Sequence, residues 1–331
     1  VRIGIFGKGM TDASAKTVRR MLRKAGIRTV PATKITDADC IMVLGGDRGV
    51  RNYFHLVTAS DIPVLGISEV ESGGFLAQID LRELPSYLGR LTVGDFTIEK
   101  VPRVAVSIDG KYTHPILNEV ATFSSKSAML MEHTLRVNGE EVWHDSSDGI
   151  IVSTPIGSSA YSMSAGGPMI FQESPVFEVI SVNSLDVTRR PLIVPNSSMI
   201  QIDDIASQLH CEVILDGTYR HNVKKTVECS KFELDANVIR MKQEPTAISA
   251  LAKKVHLAEE LLKMPPSSKL LLKILEYEGA LTQKELVAET LLPYRTVRHA
   301  LDHLISMGYV KRKVSMRDAR QRIYEISKIV P

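Results

Sequence analysis

The sequence is short of cysteine. It has three in 331 residues, Cys40, Cys211 and Cys229, far apart and with no CxxC pair. That argues against a disulfide framework or a thiolate metal cluster, and the apolar runs at or beside Cys40 and Cys211 point to buried thiols. His114, His133, His144, His299 and His303 stand at no metal-ligand spacing from a cysteine or a carboxylate cluster, so no zinc site is expected. Ser153 and Ser158 have no neighbouring His/Asp arrangement, which disfavours nucleophilic hydrolysis. Long apolar runs are missing too: none approaches the ~18 residues of a membrane span. No signal-peptide pattern opens the sequence, so the expectation is a cytoplasmic protein with no membrane contact. Internal repeats and low-complexity tracts are absent.

What is present is ordinary in amount and uneven in arrangement. Hydrophobic residues make up 44% and charged residues 24%, as in globular proteins generally, and the length allows two or three cores. The net charge of +3 conceals an asymmetry. Residues 251–331 carry 15 Lys and Arg against 9 Asp and Glu, while the rest carries 26 against 29. A basic C-terminal segment on a mildly acidic body hints at nucleic-acid contact in that segment alone.

The first ninety residues alternate short apolar runs with helical periodicity. Strands are expected at Arg2–Phe6, Cys40–Leu44 and Pro63–Ile67, with helices near 13–25 and 81–91, giving a parallel sheet covered on both faces. Gly7-Lys8-Gly9-Met10-Thr11-Asp12 resembles a dinucleotide fingerprint only in part, because Asp12 stands where a pyrophosphate would approach; a plain strand-to-helix turn is the preferred reading. From about Thr92 short strands separated by turn residues take over, with Asn138-Gly139 a hairpin signal. After Glu244–Ile248 the pattern becomes helical: 251–264, 269–278, 283–290 and 294–307. Thr282 and Glu285 are spaced as a capping box, and strands follow at 309–313 and 322–326.

Three short stretches carry chemistry. Asp148 to Pro168 begins with a buried run, Ile150-Ile151-Val152, and then turns almost wholly to Ser, Thr, Ala and Gly, leaving backbone N–H groups and hydroxyls open to a ligand. Gly45-Gly46-Asp47 follows a buried strand and so belongs at the sheet edge where open α/β folds bind ligands. There two glycines admit phosphate oxygens and a carboxylate accepts a proton or holds Mg²⁺. Asn118-Glu119 pairs an amide with a carboxylate, suited to a base edge or to ribose hydroxyls.

In this order, with Leu65-Gly66-Ile67, Gly74–Asp80, Arg190–Pro195 and Leu215-Asp216-Gly217, these stretches resemble the NAD kinase family from Arg2 to roughly residue 245. The resemblance implies an α/β N-terminal domain (1–92) and a β-rich NAD-binding domain (93–245), whose last segment is free to return to the first. It implies phosphorylation of the 2′-hydroxyl of the adenosine ribose of NAD, with ATP or polyphosphate as donor and Mg²⁺ on the phosphates. Asp47 matches the family's catalytic aspartate, and Gly45, Gly46, Arg48 and Gly49 the phosphate cradle. Asn118, Glu119, Asp148, Ser159, Ala160, Tyr161 and Ser164 match the NAD-binding positions. The sequence departs from the family at Arg48 and Gly49 (Gly-Thr in the family), Ile156 (a hydroxyl residue), Ser68 (Asn) and Asn183 (His). If Arg48 had to take up a glycine conformation, the cost would be about 1 kcal/mol or more.

Residues 250–331 resemble a winged helix-turn-helix domain. That resemblance implies DNA binding, with Tyr294, Arg295 and Arg298 on the recognition helix and Arg317, Arg320 and Arg322 in or beside a basic wing. The leading expectation is an NAD kinase, and a kinase that also binds DNA is a further option. The rival is a transcription regulator that keeps an NAD(P)(H) pocket as a sensor and has lost turnover through Arg48. The family is oligomeric, and a homo-oligomer would suit a palindromic operator.

Overall fold

The computed structural model describes residues 1–7, 13–31, 36–68, 74–126, 129–242, 255, 263–290, 292–314 and 322–327. The expected helix at 251–264 falls mostly outside these residues.

The N-terminal half comprises β1 (Arg2–Phe6), α1 (Ala13–Lys24), β2 (Arg28–Val30), β3 (Cys40–Leu44), α2 (Gly46–Leu56), β4 (Val64–Ser68), β5 (Ile79–Asp80), α3 (Leu84–Val93) and β6 (Thr97–Val101). Its sheet runs β2-β1-β3-β4, with β5 beside β4, in parallel register. The sheet is completed by the far later strand β19 (Ala236–Arg240), parallel to β4, and by β6, antiparallel to β19. β3 and β4 are buried at every position, as strands covered on both faces must be. Ala15, Val18 and Leu22 of α1 and Leu84, Leu88 and Leu91 of α3 pack on one face. Val50, Tyr53 and Phe54 of α2 pack on the other, in a core that also takes Leu117 and Ile156 from the following half.

That following half comprises β7 (Val104–Ile108), β8 (Lys111–Tyr112), β9 (Glu119–Ser124), β10 (Met131–Val137), β11 (Glu140–Ser147), β12 (Gly149–Ser153), α4 (Tyr161–Ser164) and β13 (Val176–Val182). It continues with β14 (Leu192–Pro195), β15 (Ile200–Ser207), β16 (Cys211–Leu215), β17 (Tyr219–Val223) and β18 (Val227–Lys231). Two six-stranded sheets, β11-β10-β15-β18-β7-β8 and β14-β13-β12-β9-β16-β17, face each other over one apolar core. β10 and β11 meet through Asn138-Gly139, both at positive φ, as the hairpin signal requires. β15 to β18 were legible only as part of a general β stretch. All three cysteines are buried free thiols. Arg103, fully buried, fastens the halves together by donating to the carbonyls of Phe54 (2.7 Å) and Thr58 (3.3 Å) while lying over the Phe232 ring.

A third core lies beyond. It is built by α5 (Pro266–Glu278), β20 (Leu281–Thr282), α6 (Gln283–Thr290), α7 (Tyr294–Ser306), β21 (Val310–Val314) and β22 (Arg322–Ile326). The strands form an antiparallel sheet in the order β20-β22-β21. The capping box is present: Thr282 N–H donates to Glu285 Oε2 (2.7 Å), and Glu285 N–H donates to Thr282 Oγ1 (3.3 Å). Among the described residues no helix is long and apolar enough to cross a membrane.

Two glycines on helices separate steric demand from mere tolerance. A Cβ on Gly49 would lie 2.2 Å from the Leu44 carbonyl oxygen, whereas one on Gly89 in α3 meets nothing within 4 Å. Gly49→Ala is expected to destabilise by about 1–3 kcal/mol, and Gly89→Ala to be stabilising by about 0.5–1 kcal/mol. Urea midpoints read both; equal midpoints for the two variants would contradict this packing of α2 on β3.

Candidate functional site

The chain leaves β3 through two left-handed glycines, Gly45 (φ 101°) and Gly46 (φ 63°), and enters α2 at once. The N-cap residue of this helix, Gly45, makes no side-chain cap. Asp47 sits in the first turn. Its carboxylate accepts from the N–H groups of Phe75 (2.8 Å), Leu76 (3.0 Å) and Ala77 (2.8 Å). This approach depends on Gly74, where a Cβ would fall 2.1–2.4 Å from the Asp47 carboxylate atoms. Arg48 has an ordinary helical backbone, so the strain expected of a non-glycine residue there does not arise. The left-handed turn is taken by the two glycines ahead of it.

Further along α2, His55 leads through Asp216 to the turn Leu117-Asn118-Glu119. This fully buried carboxylate accepts from the N–H groups of Leu117 (3.0 Å), Asn118 (2.7 Å) and Glu119 (3.2 Å), and it meets His55 Nε2 of α2 at 2.6 Å. Burial pushes its pKa up, but the His55 hydrogen bond, the His55 and Arg51 charges and the Leu117 N–H together hold it below the ordinary carboxylate value. From above, Thr154 Oγ1 donates to the Leu117 carbonyl (2.5 Å) and Thr154 N–H to that of Asn118 (2.9 Å). Asn118 is 6% exposed, and its Oδ1 is buried without a partner among the described residues. Such an orphan acceptor is costly unless a ligand donates to it. Behind His55, ring contacts link His114 and Tyr219. Burial first, then His55 and His221, lowers the His114 pKa to about 4.

The 148–168 segment forms the remaining wall. β12 is clamped between β9 and β13, and after it the chain tightens into a 3₁₀ turn, Gly157–Ser159, followed by α4. Ser159 spends its hydroxyl on the Ile156 carbonyl (3.0 Å) and is buried. Ala160 is half-buried, while Tyr161 and Ser164 are exposed. Tyr161, 40% exposed, stacks on Phe123 at 5.7 Å. Its phenol pKa is raised by burial and then by the charges of Asp148 and Glu119, which draws those three residues together. Asp148 accepts from Asn183 Nδ2 at 2.7 Å. Ile156 does not line the wall; it is buried in the core under α2, so its departure from a hydroxyl residue serves packing.

Sequence reasoning missed His55 and Glu178. His55 carried no motif. Glu178 did leave a signal, as a lone acid inside the apolar strand β13; it is fully buried, accepts from the Ser162 hydroxyl of α4, and has a pKa raised by burial to about 7. No cluster of three metal-binding side chains exists among the described residues. With Asp47 already holding three N–H donors, Mg²⁺ fits this site only as an ion carried mainly by substrate phosphates. In the C-terminal unit Tyr294, Arg295 and Arg298 of α7 and Arg322 of β22 are exposed. Arg317 and Arg320 lie outside the described residues. Lys311 and Lys313 both pair with Glu325.

Two family models match the chain: the ATP-NAD kinase N-terminal domain over residues 8–96 and the ATP-NAD kinase C-terminal domain over residues 117–239. An NAD kinase of Methanothermobacter thermautotrophicus is 31% identical over 211 residues, covering 63% of this chain and 74% of that protein. One of Methanopyrus kandleri is 29% identical over 219 residues, covering 65% and 79%. Among solved structures, an NAD kinase from Archaeoglobus fulgidus in complex with ATP gives a TM-score of 0.65 at 25% identity, covering 77% of this chain and 99% of that one.

Glu178 generates a pH dependence. Its folded pKa, about 7, stands above the ordinary 4.5, so the folded state holds this proton more tightly than the unfolded state does. The resulting stability is complete below about pH 4.5 and is lost as pH rises towards 7. Thermal midpoints of wild type should therefore fall between pH 5 and 8 more steeply than those of Glu178→Gln. Parallel curves for the two proteins would show that Glu178 is not the group responsible.

Proposed function

The chain belongs to the NAD kinase family, and from that premise we propose that it phosphorylates the 2′-hydroxyl of the adenosine ribose of NAD to give NADP. The observation that supports this reading most is that α2, which carries Asp47 behind the Gly45-Gly46 turn, is tied through His55 and Asp216 to the Asn118-Glu119 turn, whose Glu119 acts with Asp148 on Tyr161. Asn118 Oδ1 and Glu119 hold the nucleoside, Tyr161 offers a ring face to the dinucleotide, and Ser159, Ala160 and Ser164 shape the wall around it. ATP or polyphosphate supplies the phosphoryl group, with its negative charge met by Mg²⁺ and by the cradle of Gly45, Gly46, Arg48 and Gly49 at the start of α2. Asp47 keeps lone-pair capacity beyond its three N–H donors, enough to orient the hydroxyl and take its proton. A loose phosphoryl-transfer transition state asks for little more than this positioning and charge neutralisation.

A second reading concerns residues 250–331 and adds to the first. The helix pair α6–α7, the β20-β22-β21 sheet and the exposed Tyr294, Arg295 and Arg298 support a winged helix-turn-helix unit that binds duplex DNA, with Arg317, Arg320 and Arg322 meeting phosphates. The named relatives are kinases, which disfavours a regulator without turnover. A cytoplasmic homo-oligomer completes the proposal.

Purified full-length protein given NAD, ATP and Mg²⁺ should form NADP, and Asp47→Asn should lower the rate by roughly 10²-fold or more. Equal rates for the two would remove Asp47 from the mechanism, and no product from wild type would sink the kinase reading. In a gel-shift assay the full chain should retard duplex DNA, and Arg295→Ala combined with Arg298→Ala should weaken that retardation. Unaltered affinity in the double variant would refute the assignment of α7.

A further inference from the structure

Helix α2 carries Asp47, Arg51 and His55 at i, i+4 and i+8, one stripe along its surface. Both ends of the stripe are tied down. Asp47 is held by the N–H groups of residues 75–77, and His55 by Asp216 beneath the 117–119 turn. Arg51 lies between them, about 6 Å along the helix axis from each, on the face that carries Asp47, and its charge acts on Asp216 beneath the 117–119 turn.

The side chain of Arg51 is partly buried, and its Nε–H is buried with no hydrogen-bond partner among the described residues. The nearby Asp216 cannot absorb this cation. Its two oxygens already serve three backbone N–H groups and His55, which fills the roughly four acceptor positions of a carboxylate. A buried, charged N–H donor left unspent is unfavourable unless an acceptor reaches it. The planar guanidinium fork matches phosphate oxygens two at a time, and Asn118, whose backbone is held by the same Asp216, carries a second orphaned polar atom, Oδ1.

We propose that Arg51 binds the phosphoryl group in transfer and then the 2′-phosphate of the product, an inference that rests on the kinase reading. In that step the ribose 2′-oxygen forms a bond to the terminal phosphorus of the donor. The bond from that phosphorus to the donor's bridging oxygen breaks, ADP (or polyphosphate shorter by one unit) leaves, and the hydroxyl proton passes to Asp47. Arg51 is bonded to the equatorial oxygens throughout and thereby discriminates NADP from NAD. The alternative role, a counter-charge to Asp216 only, would affect stability without selectivity.

Titration calorimetry with NADP and NAD on the full chain separates the two roles. Arg51→Gln should weaken NADP by roughly 10–100-fold, the scale of one charge-assisted interaction, while NAD changes by less than about threefold. Arg51→Lys keeps the charge and loses the fork, so it should fall between; it also serves if Arg51→Gln does not fold. Equal losses for both ligands, or an unchanged NADP/NAD ratio in either variant, overturn the proposal. Wild-type protein that still forms NADP in that case leaves the kinase reading standing. Wild type that binds neither nucleotide and forms no NADP overturns both.

Discussion

The site hangs on one carboxylate. Asp216 joins the end of α2, through His55, to the backbone of residues 117–119. A buried charge of this kind is tolerable only when every lone pair is engaged, and here each bond reaches a different structural element or residue. Removing any one partner leaves the others facing a poorly compensated anion. The arrangement therefore behaves as a unit. It fixes the distance between the helix that bears Asp47 and the turn that bears Asn118 and Glu119, although that helix and that turn belong to different halves of the chain.

The rest of the architecture serves that alignment. The shared core of Val50, Phe54, Leu117 and Ile156 presses α2 against the start of the β-rich half. β19 returns from the far end of that half into the first sheet, and Arg103 ties the end of α2 to the strand that follows β6. Glycines permit the remaining close approaches: Gly74 lets Asp47 reach the 75–77 backbone, and a Cβ on Gly157 would lie 2.2 Å from the Asn118 carbonyl oxygen. The charge of Arg51 acts on Asp216, and those of Asp148 and Glu119 act on Tyr161.

The local devices could be read from the sequence because they are local. β3 and β4 are unbroken apolar runs, Asn138-Gly139 can form only a tight hairpin turn with ease, and Thr282 with Glu285 closes over a single helical turn. Asp47, Asn118 and Tyr161 were legible through the order of short motifs. His55 and Arg51 were not, since their meaning comes from helical spacing against residues more than sixty positions away. Ile156 was read as a missing hydroxyl at the ligand wall, and Arg48 as a strained backbone. Both expectations failed for the same reason: a tripeptide does not reveal which way a side chain leaves the chain, and here Ile156 turns into the core while Arg48 follows the helix.

If the Asp216 contacts organise the site, amide hydrogen exchange at Leu117, Asn118 and Glu119 measures it directly. The account predicts that these three amides exchange slowly in wild type and at least roughly tenfold faster in Asp216→Asn, with Ile150–Val152 of β12 unchanged. Equal exchange at residues 117–119 in the two proteins would contradict it.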